Sequence, residues 1–232
     1  MEMTATAPVF LPRGRQRYIA GLDLGQAGDF TALSVLHCQR GVMDAGTELE
    51  RHCGLSEGKQ TPVEFIDIRF LERLPLGTSY LAIVDYAKQL LSRPPLCGDT
   101  NTSAAELVVD ASGCGRPVAD LFDAAGLKPI KVVITAGLEV TYAGFNCWHV
   151  SKSHLISTVD AALHSGKLRI AAQLTEANAL AEELKDFRRK VSDAGRQSFA
   201  ARASAHDDLV LSVSLCCWWA SRQVWRPGVG CY

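Results

Sequence analysis

The stretch YIAGLDLGQAGDFTALSVL, residues 18–36, predicts how the fold begins. Tyr18 to Leu22 is an apolar run that ends at Asp23, and Thr31 to Leu36 is rich in residues that favour strands. Two glycines lie between these runs and supply a turn. The pattern predicts a tight antiparallel hairpin with a carboxylate at the end of its first strand.

Periodicity predicts further elements along the chain. The segment Gly41–Gln60 is polar, contains four glycines and shows no clear period, so it is predicted to be an exposed loop. The predicted strands are Val63–Leu71, Glu106–Asp110, Lys131–Thr135 and Leu168–Ile170. The first predicted helix is capped by Ser79 and ends before Pro94. The other predicted helices are Gly115–Ala125, Ser151–His164, Thr175–Lys190 and His206–Trp219. A further hairpin is predicted around Ser198–Arg202.

The order of these elements indicates the fold class. Three consecutive strands come first, and a β-α-β-α-β alternation with expected parallel pairing follows from residue 106. We therefore predict an α/β fold with a central mixed sheet, in which three antiparallel strands precede parallel ones, flanked by helices. The sequence shows no internal repeat and no linker. The predicted division is an N-terminal tail at 1–16, one domain at 17–222 and a C-terminal tail at 223–232.

Composition excludes several classes of protein. The 232 residues are 47% hydrophobic and 21% charged, which is typical of a globular enzyme-sized domain. The longest apolar run, Leu209–Ala220, falls short of the roughly 20 residues that a membrane helix needs. Residues 1–16 lack the apolar region of a signal peptide, so we expect a cytoplasmic protein without a membrane partner. The eight cysteines form no C-x-x-C pair.

Acidic residues stand at positions where acids are costly. Asp23 and Asp110 end predicted buried strands, and Asp207 with Asp208 opens an apolar helix. Because the ends of adjacent parallel strands meet at one edge of a sheet, we expect these carboxylates to be neighbours. Hard oxygen ligands without a nearby basic residue suit Mg²⁺ or Mn²⁺. Asp29, six residues after Asp23, could reach the same site or lie in a surface turn.

Each acid also has a purely structural explanation. Asp23 can be a turn former and Asp110 can close an Asx-turn, whereas Asp207 and Asp208 can cap a helix. Other motifs are absent or incomplete. The chain contains no G-x-x-x-x-G-K-[ST], and the pair Gly113 and Gly115 lacks the third glycine of a dinucleotide loop.

Three segments together resemble the nuclease motifs of tailed-phage terminase large subunits. The first is Gly21–Gly25 with Gly28–Leu33 behind it, the second is Val108–Gly115, and the third is His206–Ser212. The stretch Val150–Lys152 and the residues 166–170 are similar too. The resemblance covers nearly all of residues 18–222.

The resemblance implies an RNase H-like, RuvC-like nuclease. The implied activity is a two-metal endonuclease that cuts concatemeric viral double-stranded DNA during packaging, with two Mg²⁺ or Mn²⁺ ions. The implied principal ligands are Asp23, Asp110 and Asp208, and Asp207 and Asp29 match accessory acidic positions. Which of the two adjacent aspartates is the direct ligand stays open. The implied partners are double-stranded DNA, a separate packaging ATPase, a small terminase subunit and a portal, in the host cytoplasm if the chain is phage-encoded.

The sequence departs from that family in two respects. It contains no packaging ATPase, and Asp23 and Asp110 are farther apart along the chain than expected, which points to insertions at Gly41–Gln60 and Pro94–Ala104. With a net charge of −1, DNA binding requires a local basic cluster. The candidates before the third motif are Lys185, Arg188, Arg189, Lys190, Arg196 and Arg202, which could equally form a solvated helix face and loop.

Three other functions share features with this sequence. A RuvC-like Holliday-junction resolvase shares the fold and the acids but is expected to be a dimer. An actin-like or sugar-kinase-like ATP-binding protein uses similar aspartate loops, but that architecture needs two related domains and 232 residues are too few. A catalytically inactive adaptor is disfavoured because every expected acid is present.

Overall fold

The computed structural model describes residues 7–25, 28–100, 102–112, 115–193 and 207–222. Its strands are β1 (Val9–Pro12), β2 (Arg17–Asp23), β3 (Thr31–Asp44), β4 (Gln60–Leu74), β5 (Glu106–Asp110), β6 (Ile130–Thr135), β7 (Thr141–Gly144), β8 (Cys147–Ser151) and β9 (Leu168–Ile170). Its helices are α1 (Glu48–His52), α2 (Tyr80–Leu91), α3 (Gly115–Ala124), α4 (Lys152–His164), α5 (Ala177–Asp193) and α6 (Asp208–Arg222). A 3₁₀ turn covers Glu57–Lys59.

The strands form one mixed sheet in the order β7-β8-β6-β5-β2-β3-β4-β9, and β1 pairs with β3. The pairs β2–β3 and β3–β4 are antiparallel, whereas β2–β5, β5–β6 and β6–β8 are parallel. The predicted α/β class and its mixed sheet are therefore confirmed. The parallel strands bring the ends of β2 and β5 to the same edge of the sheet.

Helices cover both faces of the sheet. On one face, α4, α5 and α6 bury a core that includes Leu155, Leu180 and Trp218. On the other face, α2 and α3 pack through Ile83 and Phe122. Helix α6 is buried along most of its length and contacts β2 and β3, so it lies across the centre of the sheet.

The structure corrects the prediction of a loop at Gly41–Gln60. Strand β3 continues to Asp44, because Val42 and its neighbours pair with both β1 and β4. Helix α1 then begins with a capping box between Thr47 and Glu50. The buried Asp44 carboxylate accepts hydrogen bonds from the Gly46 amide (2.8 Å), the Ser56 hydroxyl (2.6 Å) and the Gln60 amide (2.9 Å). The polar residues of this segment thus serve as helix caps and anchors.

Two other segments differ from the prediction. Val9–Pro12, assigned to an N-terminal tail, forms β1, because its backbone pairs with residues 41–44 of the extended β3. The hairpin of β7 and β8 was not predicted, since its turn holds Phe145 and Asn146 at φ of 49° and 57°, where a bulky residue such as phenylalanine is rarely found. The predicted hairpin at Ser198–Arg202 and the tail at 223–232 lie outside the described residues.

The remaining predicted elements are observed with small shifts at their ends. Ser79 caps α2 by accepting a hydrogen bond from the Ala82 amide, and Ser151 caps α4 in the same way. No helix among the described residues is long and apolar enough to cross a bilayer.

Gly21 allows α6 to approach β2 directly. A Cβ atom at this position would lie 2.1 Å from the Ser212 carbonyl oxygen and 2.7 Å from Cys216 Sγ. Backbone contact this close excludes every larger residue unless the helix moves. The first motif therefore contains a packing requirement two residues before its carboxylate.

We expect Gly21→Ala to lower the free energy of unfolding by about 1–3 kcal/mol, because the added methyl group must displace α6. Equilibrium unfolding in urea measures the change. Gly58→Ala is the matched control, since a Cβ there meets no heavy atom within 4 Å and should alter stability by less than about 0.5 kcal/mol. Equal stability of the Gly21→Ala variant and the parent would contradict the close approach.

Candidate active site

Two carboxylates meet where β2 and β5 end. Leu22 pairs with Val109 in the parallel register, so the residues that follow them, Asp23 and Asp110, lie side by side. Their side chains hydrogen-bond to each other. A direct bond between two carboxyl groups requires a proton on one of them. Burial and the contact with Asp110 therefore both favour the protonated form of Asp23.

Helix α6 brings two more acids to this edge. Asp208 is its first residue and is 5% exposed, and Asp207 precedes it. Burial raises the pKa of Asp23 well above its usual range, and the nearby negative charges of Asp110, Asp208 and Asp207 raise it further, in that order. The helix-start acids thus lie close enough to Asp23 to act on its pKa.

Asp110 is tied to the loop that follows it. Its carboxylate accepts hydrogen bonds from the Ser112 amide (2.8 Å) and the Ser112 hydroxyl, which is the Asx-turn that the sequence left as an alternative. Burial raises the pKa of Asp110, whereas the Ser112 and Asp23 hydrogen bonds and the positive charge of Lys152 oppose the rise. The turn orients the carboxylate and does not exclude a role in binding.

Two cationic side chains contact the acids of α6. Lys152, the first residue of α4, donates a short hydrogen bond to Asp207. Arg73 on β4 donates from Nε to Asp208 (3.2 Å). Neither cation was predicted to belong to the site, because both come from elements far from these acids in sequence.

Glu183 on α5 completes the acidic cluster. Its carboxylate accepts a hydrogen bond from the Val210 amide (3.0 Å) and a short one from Arg73. Burial raises the pKa of Glu183 to about 7, against the opposing effect of the Val210 bond. Its position was recognisable in the sequence, since Glu183 follows Ala177 and Leu180 at helical spacing on the buried face of α5.

The balance of charge at this edge is negative. Arg73 also pairs with Glu176 (3.3 Å). The side chains at this edge thus comprise two cations, Arg73 and Lys152, and six carboxyl groups, Asp23, Asp110, Glu176, Glu183, Asp207 and Asp208. Within the described ranges, no three His, Cys, Asp or Glu side chains already have the arrangement of a metal site. The donor set nevertheless suits a hard divalent cation, because clustered carboxylate oxygens are the ligands that such a cation prefers.

The other predicted site residues are the accessory acid Asp29 and the basic cluster. Asp29 is exposed and lines a cavity with Gly25 and Thr31. Lys185 is exposed and pairs with Glu182 on its own helix. The side chains of Arg188, Arg189 and Lys190, and the whole of Arg196 and Arg202, lie outside the described residues.

No protein-family profile matches the chain. No curated protein matches its sequence either.

Two solved structures share the fold. The crystal structure of the large terminase nuclease from thermophilic phage G20c is 20% identical, covers 91% of this chain and 87% of its own, and gives a TM-score of 0.51. The structure of that nuclease with bound magnesium is 22% identical, covers 92% of this chain and 87% of its own, and gives a TM-score of 0.55. The chain thus has the RNase H-like fold of large terminase nuclease domains.

Proposed function

We propose that the chain is a metal-dependent endonuclease of the large-terminase type, which cuts concatemeric viral double-stranded DNA during genome packaging. The observation that carries this proposal is the parallel register of β2 and β5, which sets the buried Asp23 beside Asp110, together with the buried Asp208 at the start of α6. These acids occur in a fold shared with a phage nuclease whose structure has been solved with bound magnesium.

The chain's residues would hold Mg²⁺ or Mn²⁺ in defined roles. Asp23 and Asp110 provide the central oxygen ligands, and Asp208, with Asp207 beside it, completes the site from the helix. Two such ions, when bound, activate a water and stabilise the charge that develops on the scissile phosphate. The protein supplies a rigid sheet edge, the counter-charges of Arg73 and Lys152, and an orienting turn at Ser112.

The proposed partners follow from the same activity. Double-stranded DNA would be bound through its phosphates by the basic residues around α5. The sequence contains no P-loop, so a packaging ATPase that works with this nuclease would lie outside these 232 residues. A small terminase subunit and a portal are the further partners that genome packaging requires.

We expect Asp23→Asn and Asp110→Asn each to abolish cleavage of duplex DNA in Mg²⁺ or Mn²⁺, because each removes a central ligand. Gel analysis of linear duplex measures cleavage, and excess EDTA should abolish it in the parent. Asp160→Asn, on the exposed side of α4, is the control and should cut normally. Cleavage in EDTA, or by either Asn variant at the parental rate, would refute the proposed mechanism.

The metal-free acids should destabilise the chain at neutral pH. The folded state raises the pKa of Asp23, so it binds that proton more tightly than the unfolded state does. Stability should therefore fall as pH rises from the ordinary carboxyl pKa toward the raised one. Asp23→Asn cannot titrate, and its amide can donate to Asp110.

In chelator at pH 7.5, we expect Asp23→Asn to raise the free energy of unfolding by on the order of 1 kcal/mol. Added Mg²⁺ should raise the melting temperature of the parent more than that of the variant. Thermal and urea unfolding measure both effects. A variant that is less stable than the parent in chelator would show that the acids are not under electrostatic strain.

DNA affinity should depend on salt through the basic cluster. We expect the double variant Arg188→Ala, Arg189→Ala to have a shallower slope of log affinity against log salt concentration. The slope should decrease in magnitude by about one for each lost phosphate contact. Fluorescence anisotropy with labelled duplex measures the slope. Lys59→Ala, which removes a cation paired with Glu50, is the control and should leave the slope unchanged. An unchanged slope in the double variant would show that these arginines do not contact DNA phosphates. Arg13, Arg15 and Arg17 would then be the next candidates.

A further inference from the structure

Arg73 donates to several carboxylates, whereas the cation of an ordinary surface ion pair contacts one. Its guanidinium donates to Asp208 (3.2 Å), to Glu176 (3.3 Å) and, through a short bond, to Glu183. The Phe30 ring lies 5.7 Å from the guanidinium carbon. The side chain is 17% exposed, so these contacts are largely shielded from water. Arg73 thereby connects β4, α5 and α6.

The register of the sheet places Arg73 in line with the strand-end acid. Asp23 pairs with Ala32, and Ala32 pairs with Arg73, so the three residues form one row across β2, β3 and β4. Residues that are directly paired project from the same face of a sheet. Ala32 between them is small and buried, which leaves the start of α6 room above the row. Arg73 and Asp23 therefore flank the helix end that carries Asp208.

The contacts of Glu183 extend this arrangement to the helix backbone. One carboxylate oxygen accepts from the Val210 amide, and the other accepts from Arg73. An amide in the first turn of a helix has no partner within the helix, so this bond fixes the end of α6. Arg73 thus orients Asp208 directly and, through Glu183, orients the turn on which Asp208 lies.

We propose that Arg73 is the positioning residue of the metal centre, which fixes the Asp208 carboxylate in the direction of the Asp23 and Asp110 pair. This inference rests on the proposed nuclease function. The forked guanidinium is essential to it, because Nε, Nη1 and Nη2 each donate to a different carboxylate, and the compact ammonium of a lysine does not reproduce that spread of donors. A lysine at this position would keep the charge and lose the geometry.

The test compares Arg73→Lys with Arg69→Lys. Arg69 lies on the same strand, is mostly exposed and pairs with Asp67, so it provides the matched control. For each protein, the cleavage rate is measured against Mn²⁺ concentration, and Mn²⁺ affinity is measured by calorimetry. We expect Arg73→Lys to raise the half-saturating Mn²⁺ concentration and the dissociation constant about 10- to 100-fold. Its rate at saturating Mn²⁺ should approach that of the parent, and Arg69→Lys should match the parent throughout.

If Arg73→Lys only reduced the amount of folded protein, the maximum rate would fall and the half-saturating Mn²⁺ concentration would stay unchanged. That outcome would overturn the proposal. The double variant Arg73→Met, Glu183→Gln removes the cation together with one buried charge, and it should also bind Mn²⁺ weakly. Parental or tighter binding by either variant would mean that Arg73 does not position Asp208. Failure of the parent itself to bind Mn²⁺ and cut DNA would refute the nuclease proposal instead.

Discussion

The direct contact between helix α6 and strand β2 is the constraint on which the site depends. Gly21 leaves no side chain between them, and the Ser212 carbonyl occupies the space that a Cβ atom would need. The same helix begins at Asp208, and the same strand ends at Asp23. One packing contact within the core therefore determines the separation of two carboxylates that lie at the edge of the sheet.

That packing forces acids together at an electrostatic cost. Burial and the like charges of the neighbouring aspartates both raise the pKa of Asp23 and so favour its protonated form. Arg73 and Lys152 neutralise only part of the remaining charge. A divalent cation at this edge would supply positive charge to the same carboxylate oxygens and so reduce their mutual repulsion.

The sequence predicted the sheet, its parallel half and the neighbouring acids, because each depends on a local pattern that ends at a carboxylate. Arg73 was not predicted, since it belongs to the site only through the register that aligns it with Ala32 and Asp23. Lys152 lies in the stretch Val150–Lys152, which resembles the terminase family, but its ion pair with Asp207 is visible only in the tertiary structure. The prediction of a loop at Gly41–Gln60 was wrong, because polar residues that cap a helix are of the same types as those found in loops.

The long β3–β4 hairpin places the segment 45–59 far from the acidic cluster. The end at Thr31 and Leu74 adjoins the acidic cluster, whereas the end at Asp44 and Gln60 carries α1. At the rise of a strand, thirteen steps along β3 place these ends roughly 40 Å apart. The segment 45–59 is held by the Asp44 hydrogen bonds within its own end of the hairpin. An insertion there can therefore lengthen the spacing between the first two motifs without altering the register that aligns Asp23 with Arg73.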